Sequence, residues 1–317
     1  MRRPITIGCV VLVLLAACQG PDGTTAPAGS TPAAGSPAPP PGPKLEGRLL
    51  FSRFDEATHT LQGSFFLRPD GRNEVGVAVP WTEGLGRWST SGTEITVVTQ
   101  LPDGRFGTAI IDKHGNVLRV LEIPDATLNL ACSAWSADDA RLACEGWDVT
   151  DPSRSGIYSV RSSNGKGVKR LTTTPEGSTD LPGDYAPDGQ LVFKRAIGEG
   201  EGPLLLVDAT GGAAQPVGGS FEDAGRFSPD GTSIASSAGG SILVVDLEGN
   251  VLASITEAGA FLFGPAWSPD GAYLAYSRGE DGPFADIFIS LVDGSDQRQV
   301  TSTPDNEINV DWGVAGG

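Results

Sequence analysis

The chain has 317 residues and a formal net charge of −17, with 39 Asp and Glu against 22 Lys and Arg. So acidic a surface repels phosphate backbones and argues against DNA or RNA as a partner. Hydrophobic residues make up 39%, enough for a core, while 44 Gly and 24 Pro favour many turns over long helices.

The N-terminus reads as a targeting segment. Arg2 and Arg3 precede the apolar run ITIGCVVLVLLAA, Ile5 to Ala17. That run is too short to span a bilayer comfortably and has the layout of a secretory signal peptide. It ends in LAAC, Leu15 to Cys18, a Leu followed by two small residues and a Cys. The segment resembles the bacterial lipobox. The resemblance implies a signal peptide over residues 1–17 and a mature N-terminus at Cys18, with a diacylglyceryl thioether on its sulfur and an acyl chain such as palmitate on its amine. Two or more acyl chains anchor a protein stably where one is marginal. Loss of Arg2 and Arg3 with the leader takes the charge from −17 to −19. The expected location is extracytoplasmic, lipid-anchored to the cell membrane or to the outer membrane of a two-membrane envelope.

Residues 18–45 follow as a tether. Gln19 to Lys44 are nearly all Pro, Ala, Gly, Ser and Thr, a composition that buries no core. Fully polyproline-like, the segment would span about 80 Å.

Residues 46–317 repeat. RWSTSG at Trp88, AWSADD at Trp135, DYAPDG at Tyr185, RFSPDG at Phe227 and AWSPDG at Trp267 open successive units, and DWG at Trp312 opens one more. Positions 88, 135, 185, 227, 267 and 312 are separated by 47, 50, 42, 40 and 45 residues. Periods of this length with several short strands each mark a propeller. Each unit shows an aromatic, a four-residue turn, an apolar strand, a third strand, a Gly, Asn or Asp hairpin and a fourth strand. GRLLFSRFD at Gly47 matches YLAYSRGED at Tyr273, a second strand without its first. NVDWG supplies a spare first strand at the other end. The ends should therefore pair within one blade, giving an all-β, six-bladed propeller of four-stranded antiparallel blades with no free edge at the closure. The WSPDG…LAYS signature resembles the WD40-like PD40 repeat of TolB-type six-bladed propellers. It is strongest at Tyr185, Phe227 and Trp267. A separate α/β domain before the propeller is absent from this sequence, so the resemblance implies the fold and not the partners.

Candidate chemistry is sparse. Asp188, Asp230 and Asp270 sit in Pro-Asp-Gly turns, where Pro presets φ and Asp bonds nearby backbone N–H groups. One per blade around a ring, they cannot meet at one metal. His59 and His114 fall in turn-like contexts. No nucleophile elbow, sialidase box, metal spacing or cofactor motif is found, and no catalytic residue is assigned.

Cys132 and Cys144 flank a hairpin turn centred on Asp138. In an oxidising compartment they should form a cross-strand disulfide; two buried thiols are the alternative. The residues before the aromatics run Arg87, Ala134, Asp184, Arg226, Ala266, Asp311. Two inter-blade ion pairs are expected, Asp184–Arg226 and Asp311–Arg87, unless these side chains simply line a wet channel. The repeated aromatics should pack between blades. Trp81 and Trp147 fall outside the pattern and are candidates for a partner surface.

Two functions are compatible with these features. One is a monomeric protein- or polymer-binding scaffold module of the envelope, meeting an envelope protein or polysaccharide at a loop face. The other is a lyase or hydrolase on an envelope or extracellular polymer, using carboxylates such as Asp184, Glu222, Asp223 or Asp305 at the channel mouth. Either function should reside where the blades differ: Trp147 to Ser155, Ser178 to Asp184, Gly198 to Gly202 and Phe221 to Gly225.

Overall fold

A computed structural model describes residues 45–77, 86–198, 200–280 and 284–314. Cys18 and Trp81 lie outside the described residues. In chain order the strands are β1 (Arg48–Phe54), β2 (Leu61–Leu67), β3 (Val75–Val77), β4 (Gly86–Trp88), β5 (Glu94–Gln100), β6 (Phe106–Asp112) and β7 (Val117–Val120). Next come β8 (Asn129–Trp135), β9 (Arg141–Trp147), β10 (Gly156–Arg161), β11 (Lys169–Arg170), β12 (Ser178–Tyr185), β13 (Leu191–Ile197), β14 (Gly202–Val207) and β15 (Gln215–Phe221). The last are β16 (Arg226–Phe227), β17 (Ser233–Ala238), β18 (Ser241–Asp246), β19 (Val251–Ile255), β20 (Phe261–Trp267), β21 (Tyr273–Gly279), β22 (Ala285–Leu291), β23 (Arg298–Gln299) and β24 (Asn306–Gly313). One 3-10 turn, Pro152–Arg154, interrupts them.

They form six four-stranded sheets, the blades. Blade I is β24-β1-β2-β3, and blades II to VI take β4–β7, β8–β11, β12–β15, β16–β19 and β20–β23. Closure is by the two ends of the folded chain: Arg48 pairs with Gly313, Leu49 with Trp312 and Leu50 with Asp311. Gly313 is required there, because a Cβ would lie 2.5 Å from the Trp88 ring of blade II.

The core is distributed between blades. Strand alternation turns one face of each sheet towards the preceding blade. The recurrent aromatics occupy that face and are buried at every position, Trp267 being the most exposed at 9%. Trp88 packs on Leu50 and Phe66 of blade I, Trp135 on Ile110 and Leu121 of blade II, and Tyr185 on Ile157 of blade III. Phe227 packs on Val192 of blade IV and Trp267 on Val244 of blade V. Two indoles also bond the preceding blade: Trp135 Nε1 donates to the Arg87 carbonyl (3.2 Å) and Trp267 Nε1 to the Arg226 carbonyl (2.9 Å).

The Pro-Asp-Gly turns are internally bonded. Asp270 accepts from the Ser268 hydroxyl (2.6 Å) and the Ala272 N–H (3.1 Å), while Ser268 Oγ accepts the Tyr273 N–H (2.9 Å). Asp230 repeats this with Ser228 and Thr232. In the variant turn SADD, Asp139 stands where other blades have Gly, at φ +56°. Its carboxylate accepts the Thr90 and Ser91 N–H groups of blade II (2.7 and 3.0 Å), which compensates for the strained backbone.

Candidate functional site at the channel

Four of the six innermost strands carry an irregularity just before the aromatic. β12 bulges at Gly183, β8 at Ser133, β20 at Gly264-Pro265 and β24 at Asn309-Val310. Bulges add twist and re-aim the next side chain. At Gly183 nothing larger fits, since a Cβ would lie 2.1 Å from the Ala224 carbonyl oxygen. Asn309 is left-handed at φ +59° and Gly264 at +63°. These bulges present the residue before the aromatic to the axis. From blade I to blade VI that residue is Asp311, Arg87, Ala134, Asp184, Arg226 and Ala266, so the triplet Asp-Arg-Ala occurs twice around the ring.

The charged members converge. Arg87 Nη1 lies 3.6 Å from Asp311 Oδ1, and Arg226 Nε lies 3.8 Å from Asp184 Oδ2. These contacts are not two separate pairs. The Arg226 guanidinium makes its close bond to Asp311, two blades away. The intervening blade has the uncharged Ala266 at the corresponding position. Asp311 also accepts the Trp88 N–H (2.7 Å). Both arginines therefore lean on Asp311, while Asp184 accepts the N–H groups of Tyr185 (2.9 Å) and Phe227 and keeps only an outer contact with Arg226.

The electrostatics follow from this asymmetry. Asp311 is 2% exposed, and burial pushes its carboxyl up against the opposing pull of Arg87 and the Trp88 N–H. Asp184 is raised to about 7, by burial first and the Asp311 carboxylate second, with Arg87 only partly offsetting them. Its side chain still keeps 27% of its surface open to solvent, as expected on the wall of a narrow wet channel. A cavity of about 60 Å³ is lined by the preceding residue, Gly183, together with Arg87, Arg226, Asp223, Asn309 and the other bulge backbones. The Asn309 Nδ2 facing it has no partner among the described residues.

The other carboxylates expected at the mouth are differently placed. Asp223 lines the cavity and accepts the Gly264 N–H across the blade V–VI boundary (2.8 Å). The Glu222 carbonyl accepts from Lys194, a buried lysine whose ammonium is pushed down by desolvation. Asp305 is bonded through its N–H to Thr303 (3.2 Å) and does not line the cavity. The segment Ser178 to Asp184 is not a loop but the inner strand β12.

Two further pairs were not anticipated. Glu307, fully buried, accepts from Arg53 Nε (2.8 Å), and Asp180 accepts from Arg195 Nε (2.6 Å). Both acids stand five residues before their aromatics and face a Thr-Pro segment of the preceding blade, TTTP at Thr172 and TSTP at Thr301. The Thr172 hydroxyl donates to Asp180 (2.7 Å). The repeated T-x-T-P was the available signal.

Cys132 and Cys144 are register partners in blade III and are joined by an S–S bond of 2.03 Å. Trp147 is half-buried, its ring 5.7 Å from Phe106. It lies beside a cleft of about 340 Å³ between blades II and III, lined by Asp103, Arg105, Thr127, Asn129, Asp148 and Thr150. Within it Arg154 ties Asp148 (2.8 Å) and Asp125 together. The Thr127 N–H holds the Asp125 carboxyl down to about 2. Asn129 bridges the blades, accepting the Phe106 N–H (2.9 Å) and donating to the Trp147 carbonyl (3.2 Å).

Solved structures share this architecture. TolB from Acinetobacter baumannii matches with a TM-score of 0.64 at 20% identity, over 85% of this chain and 67% of that one. The fold is that of the TolB-type six-bladed propeller. A putative TolB from Agrobacterium tumefaciens matches at a TM-score of 0.58 and 15% identity, over 84% of this chain and 98% of that one. The TolB-type ring is also close to a chain of a nidogen/laminin complex, at a TM-score of 0.62 and 9% identity, over 85% of this chain and 99% of that one. At these identities the likeness concerns the fold. No protein-family model and no curated protein matches the sequence. Among the described residues no helix is long and apolar enough to cross a membrane.

Proposed function

We propose that the chain is a lipid-anchored, extracytoplasmic binding and scaffold module of the bacterial envelope. It is held through Cys18 and the tether, and it presents the loop end of its TolB-type propeller to an envelope protein or polysaccharide. The observation that carries this reading is the channel ring, an under-paired Asp184 and two arginines beside a wet cavity. The loops at the end where the inner strands begin add Asp55, Asp151, Glu176, Glu201 and Glu222. Arg105 and Arg154, in the same loops, are engaged by Asp103, Asp125 and Asp148. Such a rim favours a partner that brings cationic groups and draws it in from solution. Proximity labelling from the propeller in native membranes tests the reading, comparing the wild type with Glu201→Lys/Glu222→Lys. A discrete labelled partner that is lost in the variant supports it. A label set unchanged by the variant contradicts it.

A second reading rests on Asp184 alone. A carboxyl held at about 7 beside a cavity is suited to moving a proton, which a lyase or hydrolase of an envelope or extracellular polymer needs. Polymer turnover abolished by Asp184→Asn would select that reading.

A further inference from the structure

Blade III carries a concentration of base at odds with the rest of this acidic molecule. Arg141, Arg161, Lys166 and Lys169 lie together at the end of the blade that carries the turn after its aromatic. β9 begins at Arg141 and β10 ends at Arg161, and the two are register partners. Ser159, two residues before Arg161, is the register partner of Lys169 on β11. Residues two apart on a strand, and their register partners, share one face of the sheet. Arg141, Arg161 and Lys169 therefore project from one face. Ala143 and Ile157, on the same alternation, pack against Tyr185 and Leu191, so that face looks towards blade IV.

The hairpin between β10 and β11 draws two of these cations together. The Gly167 carbonyl accepts from Arg141 Nη2 at 2.9 Å. A Cβ on Gly167 would lie 3.4 Å from Arg161 Nε and 3.6 Å from its Cζ, so the Arg161 guanidinium lies along the same glycine. Lys166 precedes it in the turn, where its carbonyl accepts the Arg161 N–H (2.9 Å).

None of these cations is neutralised. The ion pairs among the described residues all belong to other arginines. Three acids of the neighbouring turns are committed to backbone and hydroxyl donors. Asp138 accepts from the Ser136 hydroxyl (2.7 Å) and the Ala140 N–H (3.0 Å), and Asp139 accepts from Thr90 and Ser91 of blade II. Asp188 of blade IV accepts the Gln190 N–H (2.9 Å). Like charges directly opposite on paired strands repel, so the Arg141–Arg161 juxtaposition is stabilised by whatever anion enters it. The exposed Arg161 guanidinium, the remaining donors of Arg141, whose Nε is held by Ser159 Oγ (2.6 Å), and two ammonium groups supply the charge and donors that a phosphate takes. The acidity of the rest of the molecule is screened beyond about 10 Å, so these local cations dominate at contact.

The geometry points to an oxyanion site on blade III: Arg141 and Arg161 bind a phosphate group beside Gly167, with Lys166 and Lys169 flanking it. The phosphate is that of a lipid head group or of a soluble phosphate ester, which share this chemistry. The site is separate from the channel and does not depend on the channel's role.

The test is a titration of the full chain with inorganic phosphate, followed by amide NMR. Saturable shifts confined to Arg141 and residues 159–170 are expected. Arg161→Gln and Lys169→Gln should each weaken them by at least about tenfold. Arg72→Gln on blade I should leave them unchanged, and all three variants should keep the wild-type Tm. Vesicles then separate the sources. Hydrogen-exchange protection of residues 159–170 by anionic but not zwitterionic vesicles assigns a lipid phosphate. Phosphate shifts without that protection assign a soluble ester. No saturable shift, or shifts equally strong in Arg161→Gln, would overturn the site.

Discussion

Blades I to III and blades IV to VI present the same three residues to the channel and use them differently. Asp311, Arg87 and Ala134 line one half; Asp184, Arg226 and Ala266 line the other. The likeness extends outward to Glu307–Arg53 and Asp180–Arg195, each above a buried Thr of the preceding blade. Yet both arginines turn to Asp311, although each aspartate accepts the N–H of the next blade's aromatic, Trp88 for Asp311 and Phe227 for Asp184. A repeated sequence thus makes one structural carboxylate and one carboxyl free to respond. The comparison shows that the ring is not six copies of one environment.

Replacing the two aspartates separates those roles most strongly. Asp311→Ala leaves two guanidiniums facing each other and the Trp88 N–H unpaired, and should cost ~3–5 kcal/mol in denaturant unfolding. Asp184→Asn removes a poorly paired carboxyl and, read near pH 4 where that carboxyl is largely protonated in the folded chain, should change stability by less than ~1 kcal/mol. Equal losses would mean that the halves are equivalent after all.

The disulfide marks the next difference between the halves. Blade III joins Cys132 to Cys144, while blade VI places Tyr276 at the matching position, its hydroxyl accepting from Gln297 Nε2 (2.9 Å). Reduction, or Cys132→Ala/Cys144→Ala, should destabilise the protein by ~2–3 kcal/mol, read as a shift in the urea midpoint. Unchanged midpoints with and without reductant would show that blade III does not rely on the bridge.

The halves also differ in their pH dependence. The Asp184 carboxyl is raised from 3.8 to about 7 on folding, so the folded chain holds its proton where the unfolded chain has lost it. The contribution is nil below about pH 4, and stability falls as pH rises through the window from about 4 to 7. Asp184→Asn should flatten its share of that slope, measured by urea unfolding across the window. Glu145, raised to about 7 by burial, adds a slope of the same sign that the variant leaves in place.

The architecture was legible because it is periodic. A motif recurring with an aromatic, a turn and a strand specifies blade number, and matching GRLLFSRFD to YLAYSRGED locates the closure. The channel was legible only in part. The identities of Arg87, Asp184, Arg226 and Asp311 follow from their place before the aromatics. Their pairing does not, since it depends on the reach of Arg226 to Asp311 two blades away and on bulges set by Gly183, Gly264 and Asn309. Those bulge residues differ in type, so no single motif announced them. Asp180 and Glu307 were hidden because their partners, Arg195 and Arg53, are strand neighbours in space and 15 or more residues away in sequence. Trp147 looked like a free aromatic; Phe106, from blade II, covers one side of it.

The central claim is that Asp184 is the responsive member of an otherwise paired ring. The most direct measurement is a site-specific titration of its carboxyl carbon by NMR in the intact protein. A midpoint near 7 that drops when Asp311→Asn removes the neighbouring carboxylate and frees Arg226 for Asp184 is the predicted result. A midpoint near 4 in the wild type, unmoved by that substitution, would contradict it.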